Sequence, residues 1–191
     1  MRLRRKRSRV LDMALTLAFL AALTAIVLRL NVIATQTTAG RPVIIDGDSI
    51  ELAGVRMRLE GIDAPEIGQI CQGPKGGFDC GREARNQLRQ MIGASQIACE
   101  GWQYDKYQRL LAACKAGTKG LNREMAASGW AVSYGGYRAE EAAARKAKLG
   151  LWAGTFDQPQ DWRKMKGAAQ EAEHDLWQAA WHALLRLAGL E

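Results

Sequence analysis

The chain has 191 residues, 48% of them hydrophobic, enough for one ordinary domain with a real core plus flanking segments, so it needs no staples merely to fold. Its formal net charge of +7 would invite polyanion binding, but Arg2, Arg4, Arg5, Lys6, Arg7 and Arg9 supply six of those charges. From Gly40 to Gln160, 16 Lys and Arg face 14 Asp and Glu, which excludes a global basic field as the means of holding nucleic acid and leaves only a local site.

The basic first residues precede an apolar run from Leu11 to Leu28, interrupted by Asp12 and a few threonines. This is a membrane-targeting pattern. The run is near spanning length and no small-x-small site follows it closely, which predicts a retained transmembrane signal anchor over residues 1–32, with a cleaved, secreted signal as the alternative. The positive-inside rule then keeps the basic end in the cytoplasm of a bacterium. The remainder is expected on the periplasmic or extracellular side of the inner membrane, single-pass. Residues 33–39 read as a linker, 40–157 as the folded domain and 158–191 as a tail.

Within the domain the expected order is β first and helix later. Val43 to Ile45 and Ile50 to Leu52 read as strands, and Ala53-Gly54 as a tight connection into Val55 to Glu60. In that last strand Val55, Met57 and Leu59 alternate with Arg56, Arg58 and Glu60, so one face is core and the other charged. Gly73 to Gly77 reads as a loop, Arg82 to Ile92 as a helix, and Ile97 to Trp102 with Leu110 to Lys115 as a hairpin. Leu121 to Ser128 and Ala139 to Leu149 read as helices closed by Gly129 and Gly150. Five short strands interleaved with three helices, without strand-helix-strand rhythm, predict an α+β fold: a five-stranded OB-fold β-barrel packed by helices and preceded by the transmembrane helix. In the tail, Leu176, Trp177, Ala180, Trp181, Leu184, Leu185 and Ala188 recur at helical spacing. That amphipathic helix would lie on the membrane surface, dock a partner, or pack on the barrel.

The chemistry concentrates in "VIIDGDSIELAGVRMRLEGIDAPE", residues 43–66, where Asp46, Asp48, Asp63 and Glu66 surround two arginines. The two histidines, His174 and His182, both lie in the tail, which excludes imidazole catalysis in the domain. Carboxylates and arginines remain: hard oxygen ligands for Ca²⁺ or Mg²⁺ and forked donors that fit phosphate. Such a set suits metal-assisted attack on a phosphodiester. Cys71, Cys80, Cys99 and Cys114 lack zinc-hook spacing and a nearby histidine, so disulfides in an oxidising compartment are expected. Of three possible pairings, Cys71 with Cys80 across a Gly-rich loop and Cys99 with Cys114 across a hairpin are preferred, buried free thiols being the alternative.

"IDGDSIEL", "VRMRLEGIDAPE" and "YDKYQRLLA" resemble the signature segments of the staphylococcal-nuclease-like, or thermonuclease, family, in the same order and spacing. The resemblance covers about residues 40 to 153 and includes the late "AKLGLW". It implies an OB-fold enzyme that hydrolyses DNA and RNA with Ca²⁺, leaving 3′-phosphate ends and showing little sequence specificity. By position it implies Asp48 and Asp63 as metal ligands, with the backbone carbonyl of Ala64, where the family usually has Thr. Glu66 matches the general-base candidate, and Arg58 and Arg109 the catalytic arginines. Ser49 replaces the usual Thr, and Gln108 stands where the family commonly has Gly; a positive φ there would cost a Gln about 1–2 kcal/mol. Lys106 and Tyr107 match positions that touch a terminal phosphate, or are simply a solvated tip. Tyr134 and Tyr137 would stack on a base or bury their rings. Two other classes stay open: a module that binds single-stranded nucleic acid or a protein without cutting, and a scaffold whose work lies in the C-terminal helix.

Overall fold

The structure, a computed structural model, describes residues 3–31 and 35–167. It divides into two compact units between Gln36 and Thr37. The predicted helix of the tail, with His174 and His182, lies outside the described residues.

The first unit holds the helix α1 (Leu3–Asn31). Thr16 and Thr24 return their hydroxyls to the carbonyls of Asp12 and Leu20, each at 2.7 Å. Among the described residues no helix is long and apolar enough to cross a membrane. The expected transmembrane anchor, and with it attachment to the membrane through this helix, is therefore corrected. Asp12 and Arg29 bracket the uncharged residues 13–28. At about 1.5 Å per residue these reach about 24 Å, against roughly 30 Å of bilayer hydrocarbon.

The second unit is α+β. It opens with strands β1 (Gln36–Gly40), β2 (Val43–Ile44), β3 (Ser49–Leu52), β4 (Val55–Leu59), β5 (Ile62–Asp63), β6 (Ile70–Gly73) and β7 (Gly76–Asp79). Helix α2 (Cys80–Ile92), the hairpin β8 (Ile97–Tyr104) and β9 (Leu110–Ala116), β10 (Lys119–Gly120) and α3 (Leu121–Ala127) follow. β11 (Val132–Ser133), α4 (Arg138–Lys146), a 3-10 turn (Gly150–Ala153) and helical residues 159–167 complete it. The main sheet has the order β1-β8-β9-β4-β3-β2, with β10 on β9. β1 and β2 are its edges, so the expected five-stranded barrel takes the form of a half-barrel sheet. β1 occupies most of the expected linker.

Local sequence explains the centre of this sheet. Ala53 and Gly54 both take positive φ, 51° and 78°, the two-residue turn whose twist suits a hairpin, and so pair Leu52 with Val55 and Ser49 with Arg58. β4 also runs parallel to β9, pairing Arg58 with Leu111. Met57 and Leu59 enter the core with Ile50, Leu52, Leu88, Leu110, Leu121 and Met125, while Arg58 stays half-buried on the other face. α2 buries Ala84, Leu88 and Ile92, and Asp79 caps it by accepting from the Arg82 amide at 2.9 Å. Buried Asn122 accepts from the Cys114 amide and donates to the carbonyls of Glu60 and Ala112, locking α3 to β9 and the end of β4.

Both preferred disulfides are present: Cys71–Cys80 fastens β6 to the start of α2, and Cys99–Cys114 joins facing residues of β8 and β9. Replacing Cys99 and Cys114 together by alanine frees a loop of 15 residues in the unfolded chain. A loss of about 3 kcal/mol in urea-unfolding stability is expected.

Candidate active site

The site forms where β3 and β4 begin and end beside each other. The register that sets Ser49 opposite Arg58, together with the Leu59 amide on the Asp48 carbonyl at 2.8 Å, lays Arg58 across the Asp48 side chain. Asp48 is almost wholly buried; its Oδ1 accepts from the Ser49 hydroxyl at 2.8 Å and its Oδ2 from the Ala64 amide at 3.2 Å. Arg58 Nη2 lies 3.0 Å from Asp48 Oδ2 and also donates to Asp63 Oδ1. Both carboxylates predicted as metal ligands thus converge on one guanidinium nitrogen.

Arg109 arrives from the β8–β9 turn. Gln108 there has φ of 62°, the left-handed conformation for which glycine is the easy residue. Asp105 offsets that cost: its carboxylate accepts from the Tyr107 and Arg109 amides at 2.8 and 2.9 Å and from Arg109 Nε at 2.8 Å. Arg109 Nη1 then donates to the Ser49 hydroxyl at 3.1 Å. The hydroxyl that replaces the usual threonine therefore links Arg109 to Asp48.

Glu66 follows β5 in a loop held at the backbone. Its amide donates to Gln69 Oε1 at 3.2 Å, and its carbonyl accepts from the Gln69 amide at 2.9 Å. A Cβ on Gly81 would sit 1.9 Å from that same carbonyl oxygen, so only glycine lets α2 approach this closely. Buried Gln69 also donates Nε2 to the Asp157 carbonyl at 2.8 Å, tying the Glu66 loop to the chain that enters residues 159–167.

From those residues comes a group that sequence reading missed. Arg163 Nη1 donates to Asp63 Oδ1 at 3.0 Å and to Glu66 Oε1 at 2.8 Å, and its Nη2 to Asp63 Oδ2 at 2.8 Å. Arg163, Arg58, Asp63 and Tyr134 are among the residues that line a cleft of about 570 Å³. The predicted substrate residues divide. Tyr134 is half-exposed at this cleft, whereas Tyr137 packs against Gly61 and the core and lines a different hollow with Glu100, Lys115 and Arg123. Tyr107 is exposed beside Arg109, and the Lys106 ammonium lies 4.9 Å from its ring centre.

Burial pushes the Asp48 carboxyl up to about 7; the lowering by Arg58 does not offset this, and Asp46 and Asp63 add to the rise. Arg58 is disfavoured by burial, but Asp48 and Asp63 outweigh that and raise it. Partial burial likewise pushes Asp105 up, and the hydrogen bonds from Arg109 and Tyr107 outweigh it, so it ends below the usual carboxylate range. Between about pH 4 and 7 the folded chain thus binds a proton at Asp48 that the unfolded chain has lost, so this group makes stability fall as pH rises through that window. Asp48→Asn is expected to remove that slope. With chelator present, the melting temperature of the variant minus that of wild type should increase from about pH 5 to about pH 8.

A family model described as staphylococcal nuclease homologue matches residues 56–154. The chain belongs to this family. Among its relatives is the "Succinoglycan biosynthesis protein ExoI" of Rhizobium meliloti (strain 1021), 34% identical over 140 residues, covering 69% of this chain and 73% of that one. The "Micrococcal nuclease" of Shigella flexneri is 29% identical over 170 residues, covering 77% and 92%. The "Probable staphylococcal-like nuclease CAN4" of Oryza sativa subsp. japonica is 27% identical over 144 residues, 72% of this chain but 27% of the rice protein. In this staphylococcal nuclease homologue, Arg58, Asp63, Glu66 and Arg109 lie inside the matched segment, and Asp48 and Arg163 outside it.

The family is metal-dependent in general. Among the described residues no group of three or more His, Cys, Asp and Glu is placed to hold a metal ion. The smaller donor set of Asp48 and Asp63 offers the hard oxygens that a divalent cation of this kind takes. Its oxygens are of the right chemistry, and the Asp48 and Asp63 carboxylates already converge on one cationic nitrogen, that of Arg58.

Proposed function

We propose that this chain is a nuclease that hydrolyses phosphodiester bonds of DNA and RNA with Ca²⁺, with little sequence preference. The observation that carries this reading is the convergence of Asp48, Asp63, Arg58 and, through Ser49, Arg109 on one rim, with Glu66 beside Asp63. Asp48 and Asp63, with the Ala64 carbonyl, would hold the cation, which when bound supplies Lewis-acid polarisation and neutralises phosphate charge. Glu66 takes the proton of the attacking water as its oxygen bonds to phosphorus. Arg58 and Arg109 stabilise the charge that gathers on the phosphoryl oxygens. The P–O5′ bond breaks, the 5′ oxygen leaves as an alkoxide that takes a proton from solvent water, the hydroxide so formed takes the Glu66 proton, and a 3′-phosphate remains. Tyr107, Lys106 and Tyr134 flank the strand and offer stacking and phosphate contact rather than base-edge recognition, in keeping with slight specificity.

Two disulfides support work outside the cytoplasm, where thiols are not kept reduced. The test is incubation of the oxidised full chain with single-stranded DNA and with RNA, in Ca²⁺ or in excess chelator. Calcium-dependent cutting that leaves 3′-phosphate ends is expected. Intact substrate after incubation with folded, calcium-loaded protein would overturn the reading.

A further inference from the structure

Arg163 makes three hydrogen bonds, all to Asp63 and Glu66, the residues assigned to the cation and to the attacking water. Asp63 Oδ1 receives both Arg58 and Arg163, and Oδ2 receives Arg163, so both oxygens are engaged by guanidinium. A divalent ion and a guanidinium seek the same lone pairs. Both cannot be served by Asp63 at full strength.

The segment that delivers Arg163 is anchored mainly at its root. It is tied at its root by Gln69 to the Asp157 carbonyl and by buried Pro159. Beyond Pro159, Trp162 and Arg163 are half-buried and the other residues to 167 are exposed. Lys164 points elsewhere, pairing with exposed Asp161 at 3.2 Å. Lifting Arg163 away therefore gives up its ion pairs and the partial burial of Trp162, but no fully buried side chain beyond Pro159.

We propose that Arg163 is a tethered cation that competes with the divalent metal for Asp63 and Glu66, so that residues 159–167 form a latch which metal binding opens. The inference rests on the cation reading of Asp48 and Asp63. It assigns to this chain a control of metal entry that comes from outside the segment matched by the family model.

The experiment is calorimetric titration of the full chain with Ca²⁺ alone, for wild type, Arg163→Ala, Arg163→Lys and Lys164→Ala, paired with amide hydrogen exchange of wild type with and without Ca²⁺. Arg163→Ala should bind Ca²⁺ about tenfold more tightly, the scale of one charge-assisted contact. Arg163→Lys, which keeps the charge and loses the fork, should fall between. Lys164→Ala removes the same charge without touching Asp63 or Glu66 and should match wild type. In wild type, Ca²⁺ should speed exchange in residues 159–167.

Equal, measurable affinities in wild type and Arg163→Ala would overturn the latch and leave the nuclease reading standing. Weaker binding by Arg163→Ala would overturn it too, by making Arg163 a support of the metal site. An equal gain from Lys164→Ala would reduce the effect to net charge and likewise overturn it. Absence of Ca²⁺ binding in every variant would remove both the latch and the cation reading beneath it. Unchanged exchange in calcium-loaded wild type would overturn the latch without any variant.

Discussion

Arg58→Ala is expected to lower turnover on single-stranded DNA by about 10²–10³-fold, the usual loss when one preorganised donor to a developing oxyanion is removed. The same change reaches stability, because Arg58 serves both Asp48 and Asp63. The two carboxylates respond differently. Asp63 keeps Arg163, whereas Asp48 loses its only ion pair among the described residues and, already held up near 7 by burial, takes up a proton instead. The stability loss should therefore be modest in mild acid and grow with pH, to on the order of 2–4 kcal/mol once Asp48 must ionise unpaired. Turnover measured beside chemical denaturation at about pH 6 and about pH 9 separates the two effects. Arg56→Ala, on an exposed side chain of the same strand, is the control that should change neither. A folded Arg58→Ala protein with undiminished turnover would remove Arg58 from the mechanism.

Glu66→Gln should be nearly as severe in rate and nearly silent in stability. The amide has the carboxylate's shape, and the loop is held by backbone contacts with Gln69 and Gly81 that the change leaves alone. A base lost from the attacking water costs about 10²–10⁴-fold in the chemical step. The loss should appear in single-turnover cleavage, with Ca²⁺ affinity kept within a few-fold. A Gln variant that cuts at the wild-type single-turnover rate would place the base elsewhere.

The legible parts of this molecule are local ones. The alternation of Val55, Met57 and Leu59 with Arg56 and Arg58 gave β4 its face, and a two-residue turn brought Ser49 opposite Arg58, so the Asp48 and Arg58 cluster follows from neighbouring sequence. Gln108 does take the positive φ whose cost the sequence put in question, and Asp105, which the sequence reading did not single out, is what places Arg109 despite it.

What sequence could not show depends on distant partners. Arg163 meets Asp63 across 100 residues and comes from a segment whose composition looks like an ordinary charged tail. Gln69 is a polar residue of no evident pattern until its amide is seen bridging Glu66 and Asp157. β1 is a polar strand, QTTAG, paired with β8 at the sheet edge, and it has no apolar alternation to announce it. Tyr137 has the composition of a stacking residue, but Gly61 leaves room for its ring against the core. The N-terminal helix misled by hydropathy alone, because the distance between Asp12 and Arg29 decides what it can span.

The close approach at Gly81 has a mechanical consequence. With the Glu66 carbonyl seated where a side chain would begin, and Cys80 bonded to Cys71 next to it, α2 and the base loop form one stiff jaw. Glu66 cannot retreat without carrying a capped helix of the core with it. The facing jaw, residues 159–167, has a single buried residue at its root. On the nuclease reading, admission of a bulky polymer would thus be asymmetric, with Glu66 as the fixed reference against which the strand is gauged and the opposite wall as the part that yields.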